Sequence, residues 1–284
     1  MSLRIAVIAD KDHPNVPDIF SGVHEIVGNH AELIDCPTNH KSSLPEGIDR
    51  AIVIGGDGTM ISQIRRLAGR DIPLIGVNSG RLGFLTQFDL TSLEENLESA
   101  IGPHPALSSP MLLSINVVLP DQDVIGPLIA ANDCVIHSGP PFSVIQIGLA
   151  VDEAKGPVMA GDGLVIATPI GSTAHNLSAG GAIVQQTLDA FALTPLSAHT
   201  LSYRPIVLNA DQTLQCTVHR ANPGSTLVID GQVQVPLTTK AQIKVARHTE
   251  RTSLVLNPAS HYWRTLQEKL GWAHLPLDPR QRMS

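Results

Sequence analysis

Gly55-Gly56-Asp57-Gly58-Thr59 places one carboxylate inside a glycine-rich turn. Three glycines in four positions let a backbone adopt positive φ and approach a ligand closely. A helix that starts there offers unpaired N–H groups to an anion such as phosphate. A negative side chain does not suit phosphate binding alone. It suits a carboxylate that accepts a proton from a hydroxyl, or helps hold Mg²⁺, while the amides hold phosphate. The structural alternative is a tight strand-to-helix turn with Asp57 as its N-cap. The turn is neither G-x-G-x-x-G nor G-x-x-x-x-G-K-[ST], so the dehydrogenase reading is weak and there is no P-loop lysine.

A second cluster runs from Asp162-Gly163 through Ser172-Thr173-Ala174-His175-Asn176-Leu177-Ser178 to Gly180-Gly181. Ser172, Thr173, Asn176 and Ser178 can each hydrogen-bond a polar ligand. The alternative is a capped helix with small residues at a domain interface. Asn132-Asp133 is a third polar point, and alone it reads as a turn. Other chemistries find less support. The twelve histidines show no H-x-x-x-H spacing, Ser172 lies outside any G-x-S-x-G elbow, and Glu94-Glu95 reads as a solvated helix face.

These residues need elements to position them. Ile5 to Ala9, Ala51 to Ile54 and Pro73 to Val77 are short apolar runs that read as buried parallel strands. Ile19, Phe20, Val23, Ile26 and Val27 fall at helical spacing, as do Met60, Ile61, Ile64, Leu67 and Ala68. Thr91 to Ile101 reads as one helix. This is an open α/β pattern, which binds ligands at the carboxyl ends of its strands. Pro103, Pro105 and Pro110 mark a linker. Beyond it come short β-rich runs: 112–119, 144–151, 164–167, 206–208, 227–229 and 243–246. The fold class expected is therefore α/β plus β: a Rossmann-like N-terminal domain over 1–107, a mainly antiparallel β domain over 108–257, and a tail over 258–284. The tail carries a helix at Tyr262 to Leu270 that packs back on the first domain.

The 284 residues suffice for about two domains. Net charge is −7, which argues against a nucleic-acid partner. No apolar run reaches the length of a membrane span, and Cys36, Cys134 and Cys216 show no C-x-x-C spacing. The expected setting is the cytoplasm, with no membrane partner.

Taken in order, Gly55 to Thr59, Asn132-Asp133, Asp162 to Gly181 and Asp230-Gly231-Gln232 resemble the NAD kinase family, as do Gly76 to Thr86 and Arg204-Pro205-Ile206-Val207-Leu208. The resemblance covers residues 5 to about 273. It implies phosphoryl transfer from ATP, with a divalent metal such as Mg²⁺, to the 2′-hydroxyl of the adenosine ribose of NAD. Asp57 takes the position of the general base. Gly58, Phe84, Asn132, Asp133, Asp162, Thr173, Ala174, His175, Asn176, Ser178 and Gln232 take nucleotide-contacting positions. No protein cage for the metal is evident. Homodimers or homotetramers are implied.

Four residues depart from the pattern: Ser143 and Ala160 where a basic residue is expected, Ile170 for a hydroxyl residue, and His175 for tyrosine. The first two leave phosphate charge less neutralised. Arg65 and Arg66 either compensate or are solvated surface charges, and the second is the expectation. His175 either stacks on a base or donates to a nearby carbonyl. The alternatives kept open are a lipid or other small-alcohol kinase sharing the glycine turn, and a catalytically silent NAD-binding regulator.

Overall fold

The computed structural model describes residues 2–39, 43–80, 83–200 and 202–273. The elements begin with β1 (Arg4–Ala9), α1 (Val16–Val27), β2 (Glu32–Pro37), β3 (Arg50–Gly55), α2 (Asp57–Arg66), β4 (Leu74–Asn78), α3 (Leu90–Glu95), α4 (Leu97–Ile101) and β5 (Leu107–Ser108). There follow β6 (Leu113–Val118), β7 (Val124–Ala130), β8 (Asp133–His137), β9 (Ile145–Val151), β10 (Ala154–Gly161) and β11 (Gly163–Ala167). The chain continues with α5 (His175–Ser178), β12 (Ala190–Leu196), β13 (Ile206–Asn209), β14 (Leu214–Arg220) and β15 (Thr226–Ile229). It ends with β16 (Val233–Pro236), β17 (Gln242–Arg247), β18 (Leu254–Val255) and α6 (Tyr262–Leu270). Two compact units result. One comprises Met1–Met60, Ile72–Ser108 and Leu254–Ser284, the other Ile61–Asp71 and Ser109–Ser253.

In the first unit the strand order is β2-β1-β3-β4-β18-β5, parallel except for β5. Ile5 to Ile8 and Ala51 to Val53 are fully buried, as a sheet covered on both faces requires. The chain leaves β1 toward β2 on one side, and β3 continues the sheet on the other. That makes the carboxyl ends of β1 and β3 a topological switch point, and Asp57 follows β3 directly. The expected single helix over 91–101 is broken at Asn96, whose Nδ2 donates to the Ser92 carbonyl at 2.9 Å. A side chain that competes for helix carbonyls ends the helix there. Strand β2 has no apolar run to announce it, being an edge strand with its outer residues exposed. Helix α6 forms over Tyr262 to Leu270, and residues 274–284 of the tail lie outside the described residues.

The second unit holds two six-stranded antiparallel sheets, β10-β9-β14-β17-β6-β7 and β13-β12-β11-β8-β15-β16. One core takes alternate residues from both: Leu113, Ile115 and Val117, Leu214, Cys216 and Val218, Cys134 and Ile136, Leu164 and Ile166. Val135, Val165 and Ala167 face the other way and are also buried, which explains the unbroken apolar run of β11. Cys36, Cys134 and Cys216 are buried thiols with no disulfide. No helix among the described residues is long and apolar enough to cross a membrane.

Candidate active site

In the first unit the site is built around Asp57. Its Oδ1 accepts N–H bonds from Leu85 at 3.1 Å and Thr86 at 3.2 Å, and the Thr86 hydroxyl at 3.3 Å. Its Oδ2 accepts the Phe84 N–H at 2.9 Å. Asp57 is thus the first residue of α2, and its side chain serves the 84–86 loop instead of capping its own helix, which corrects the N-cap alternative. A Cβ on Gly83 would lie 1.8 Å from Asp57 Oδ1, so only glycine lets the loop approach this closely. Asn78 braces the same loop through Nδ2 to the Phe88 carbonyl at 2.9 Å. Arg81 and Leu82, part of the same sequence motif, lie outside the described residues.

The glycines of the turn act differently from expectation. None of Gly55, Gly56 and Gly58 has a left-handed φ. A Cβ built on Gly56 or Gly58 meets nothing within 4 Å, so these two open space beside the start of α2 instead of relieving backbone strain. Lys269 of α6 lies 3.9 Å from Asp57 Oδ2, and its Nζ stands 5.4 Å from the centroid of the half-buried Phe84 ring.

In the second unit the counterpart is Asp230, whose carboxylate accepts N–H bonds from Ala131 at 2.8 Å, Asn132 at 2.8 Å and Asp133 at 3.0 Å. Arg65 pairs with it, Nε to Oδ2 at 3.3 Å, and donates to Gln232 Oε1. The Arg65 side chain is 11% exposed, which overturns its expected place among solvated surface charges. A buried carboxylate needs a partner, and Arg65 supplies it. Burial pushes the Asp133 carboxyl up to about 7, and the neighbouring Asp230 charge adds to the rise. Burial also raises Asp230, against the opposing pull of its three amide bonds and Arg65. Asp230 is therefore the better-stabilised anion of the two.

Asn132-Asp133 is more than a turn. Thr168 donates its hydroxyl to the Ala131 carbonyl at 2.6 Å and its N–H to the Asn132 carbonyl at 2.8 Å. A Cβ on Gly171 would lie 2.0 Å from that Asn132 oxygen, so the 168–171 turn seats directly on the pair. Asn132 Oδ1 is buried with no hydrogen-bond partner among the described residues. An orphaned acceptor of this kind is costly unless a ligand completes it.

The run after Ser172 divides into supports and open positions. Asn176 is fully buried: both its N–H groups are spent on the Ser172 and Ala182 carbonyls at 3.0 Å, and Thr194 donates to its Oδ1 at 2.7 Å. Its side-chain donors thus support the run from within. Ser172 is likewise consumed, by Pro169 and Val184. Thr173 and Ala174 are half-buried, and His175 and Ser178 are exposed on the single turn α5. The His175 ring lies parallel to His137 with centroids 6.2 Å apart, and burial followed by His137 lowers its pKa. Its observed partner is thus a second histidine ring. Asp162 is half-buried at the start of β11, and its backbone pairs with Leu196 and Ser138. The sequence reading missed Asp230 as an organiser, the pairing of Arg65, and Lys269. The Asp-Gly dipeptide at 230–231, with both residues at positive φ, was the one signal for the first.

Among the described residues, no group of three or more His, Cys, Asp or Glu side chains gathers to hold a metal ion.

Two domain families match this chain: the ATP-NAD kinase N-terminal domain over residues 22–104 and the ATP-NAD kinase C-terminal domain over 131–256. The NAD kinase of Rhodopirellula baltica is 35% identical over 272 residues, covering 95% of this chain and 87% of its own. That of Nitrosospira multiformis is 38% identical over 232 residues, 81% and 78% of the two chains. Among solved structures, yeast NADH kinase complexed with NADH superposes with a TM-score of 0.83 at 21% identity, over 98% of this chain and 90% of that one. The Archaeoglobus fulgidus NAD kinase in complex with ATP superposes with a TM-score of 0.75 at 23% identity, over 95% and 98%. At those identities the structures speak for the fold, an α/β domain followed by a β-rich one. Sequence identity sustained over nearly the whole length carries the assignment further: this chain belongs to the NAD kinase family.

Proposed function

We propose that this enzyme transfers the γ-phosphoryl group of MgATP to the 2′-hydroxyl of the adenosine ribose of NAD, giving NADP and ADP. The observation that carries the mechanism is the Asp57 carboxylate, 31% exposed and fixed by the 84–86 amides in a chain of this family. Three donors occupy Oδ1 and one N–H occupies Oδ2, so Oδ2 keeps a lone pair for the sugar hydroxyl. As the bond from the 2′-oxygen to the γ-phosphorus forms, the bond from that phosphorus to the ADP oxygen breaks. The hydroxyl proton passes to Asp57 and from there to solvent. General-base help of this kind contributes about 10²–10⁴ in rate. The remainder comes from alignment and charge stabilisation.

We assign dinucleotide binding to Gly58, Phe84, Asn132, Asp133, Asp162, Thr173, Ala174, His175, Asn176, Ser178 and Gln232. The unpartnered Asn132 Oδ1 supports this, and so does the open space at Gly58. The divalent ion, Mg²⁺ in this proposal, is part of the nucleotide substrate. We place the enzyme in the cytoplasm as a homodimer or homotetramer. Ile206 and Val207 stand exposed on the edge strand β13, beside an apolar groove of about 620 Å³ that Leu149, Met159, Leu193 and Tyr203 help to line. An uncovered apolar edge strand suits pairing with a second copy.

The test is NADP formation by the purified protein with MgATP and NAD. Conversion that depends on both substrates supports the proposal. No NADP from NAD, and no phosphorylated product from NADH, with ATP or polyphosphate as donor, contradicts it.

A further inference from the structure

A second charged group stands at the catalytic carboxylate, contributed by the far end of the chain. Asn257 pins the segment before α6 to the Asp57 loop: its N–H bonds Gln87 Oε1 at 3.1 Å and its Nδ2 bonds the Gln87 carbonyl at 2.8 Å. Thr265 and Leu266 bury the inner face of α6, and Gly271, in the left-handed conformation, closes it. The helix so held presents Lys269 beside Asp57 and over Phe84. At 3.9 Å the ammonium is an ion-pair neighbour of Oδ2, so its three N–H donors are not spent on the carboxylate. The aromatic face restrains it by a cation–π contact. The Lys269 side chain is 28% exposed, which leaves it open to a ligand.

The geometry points to Lys269 as a further catalytic residue, whose ammonium contacts the phosphoryl group being transferred at Asp57 and takes up its charge in the transition state. This rests on the kinase reading above. A γ-phosphoryl group in transit spreads negative charge over three oxygens, and something cationic must meet it. Ser143 and Ala160 supply no charge where the family resemblance leads one to expect it. Lysine, a compact point charge on a flexible stem, suits a group that changes geometry during reaction. Lys269 exchanges no proton. The bond made is 2′-oxygen to phosphorus, the bond broken is phosphorus to ADP oxygen, and the proton goes to Asp57.

A purely structural ion pair predicts something else: Lys269 would fasten α6, and its loss would show in stability. The experiment compares wild type, Lys269→Met and Lys269→Arg in NADP formation with MgATP and NAD, alongside thermal melts. Losing one preorganised charge should lower kcat of Lys269→Met by about 10²-fold. The KM for NAD should stay within about threefold, since the interaction is made to the transition state. The melting temperature should move by no more than about 2 °C, since half-exposed ion pairs contribute little to stability. Lys269→Arg, which keeps the charge, should recover much of the loss. Turnover of Lys269→Met within about threefold of wild type would overturn the assignment. So would equal kcat losses in both variants accompanied by a drop of more than about 5 °C in melting temperature. A wild-type protein that made no NADP would instead strike the kinase reading itself.

Discussion

Each unit contains a carboxylate that accepts the N–H groups of three consecutive residues: Asp57 those of Phe84, Leu85 and Thr86, and Asp230 those of Ala131, Asn132 and Asp133. The cradles match, but the depths differ. Asp57 is 31% exposed beside Lys269, whereas the Asp230 side chain is fully buried against Arg65. Three amides neutralise much of a carboxylate's need for water in either setting. Exposure then decides what the group can do. Asp57 keeps a face on which a substrate hydroxyl can land. Asp230 has none, and its anion holds Asn132 and Asp133 in place. In the proposed mechanism the same local device therefore makes a reactive group in one unit, while it makes a frame in the other.

The largest effect that would break this comparison concerns the frame. Arg65→Met leaves Asp230 buried without its cation, and removing one partner of a buried pair costs about 3–5 kcal/mol. Denaturant unfolding should show a loss of that size. A loss below about 1 kcal/mol would mean that Asp230 does not depend on Arg65.

A smaller and pH-dependent effect sharpens it. Asp133 holds its proton in the folded protein up to about pH 7, while an unfolded Asp releases it near pH 4. Over that window the folded state binds more protons, so stability falls as pH rises. An amide in place of that carboxyl has no proton to lose. The stability of Asp133→Asn relative to wild type should therefore grow from pH 4 to 7 and level off above, with a ceiling on the order of 4 kcal/mol. Melting curves for both proteins across that range provide the check. A difference that does not change with pH would remove the buried-acid account of Asp133.

Much of this was legible in the residues. Buried parallel strands are written as apolar runs, and 5–9, 51–54 and 73–77 all fall within or upon observed strands. Strand β8 was harder, because Asn132-Asp133 at its start reads as a turn and only the Asp230 cradle shows why it is held. Arg65 and Arg66 sit at the polar end of an amphipathic helix, where sequence alone favours solvent. Nothing local reveals a partner 165 residues away in the chain, at Asp230. Lys269 had the same difficulty, since the helix that bears it was visible but its neighbour was not. Asn176 is the opposite case. An amide in a run of small polar residues looks available, and only packing shows that its donors are already used.

The most direct measurement is turnover of Asp57→Asn with NAD affinity and stability measured on the same protein. The amide keeps the shape and most of the cradle, so NAD dissociation constants should stay within about threefold and stability within about 1 kcal/mol, the worth of one hydrogen bond. The amide cannot take the hydroxyl proton, so kcat should fall at least about 10²-fold. Near-wild-type kcat with intact binding would contradict the account, because the exposed cradle would then be only another frame.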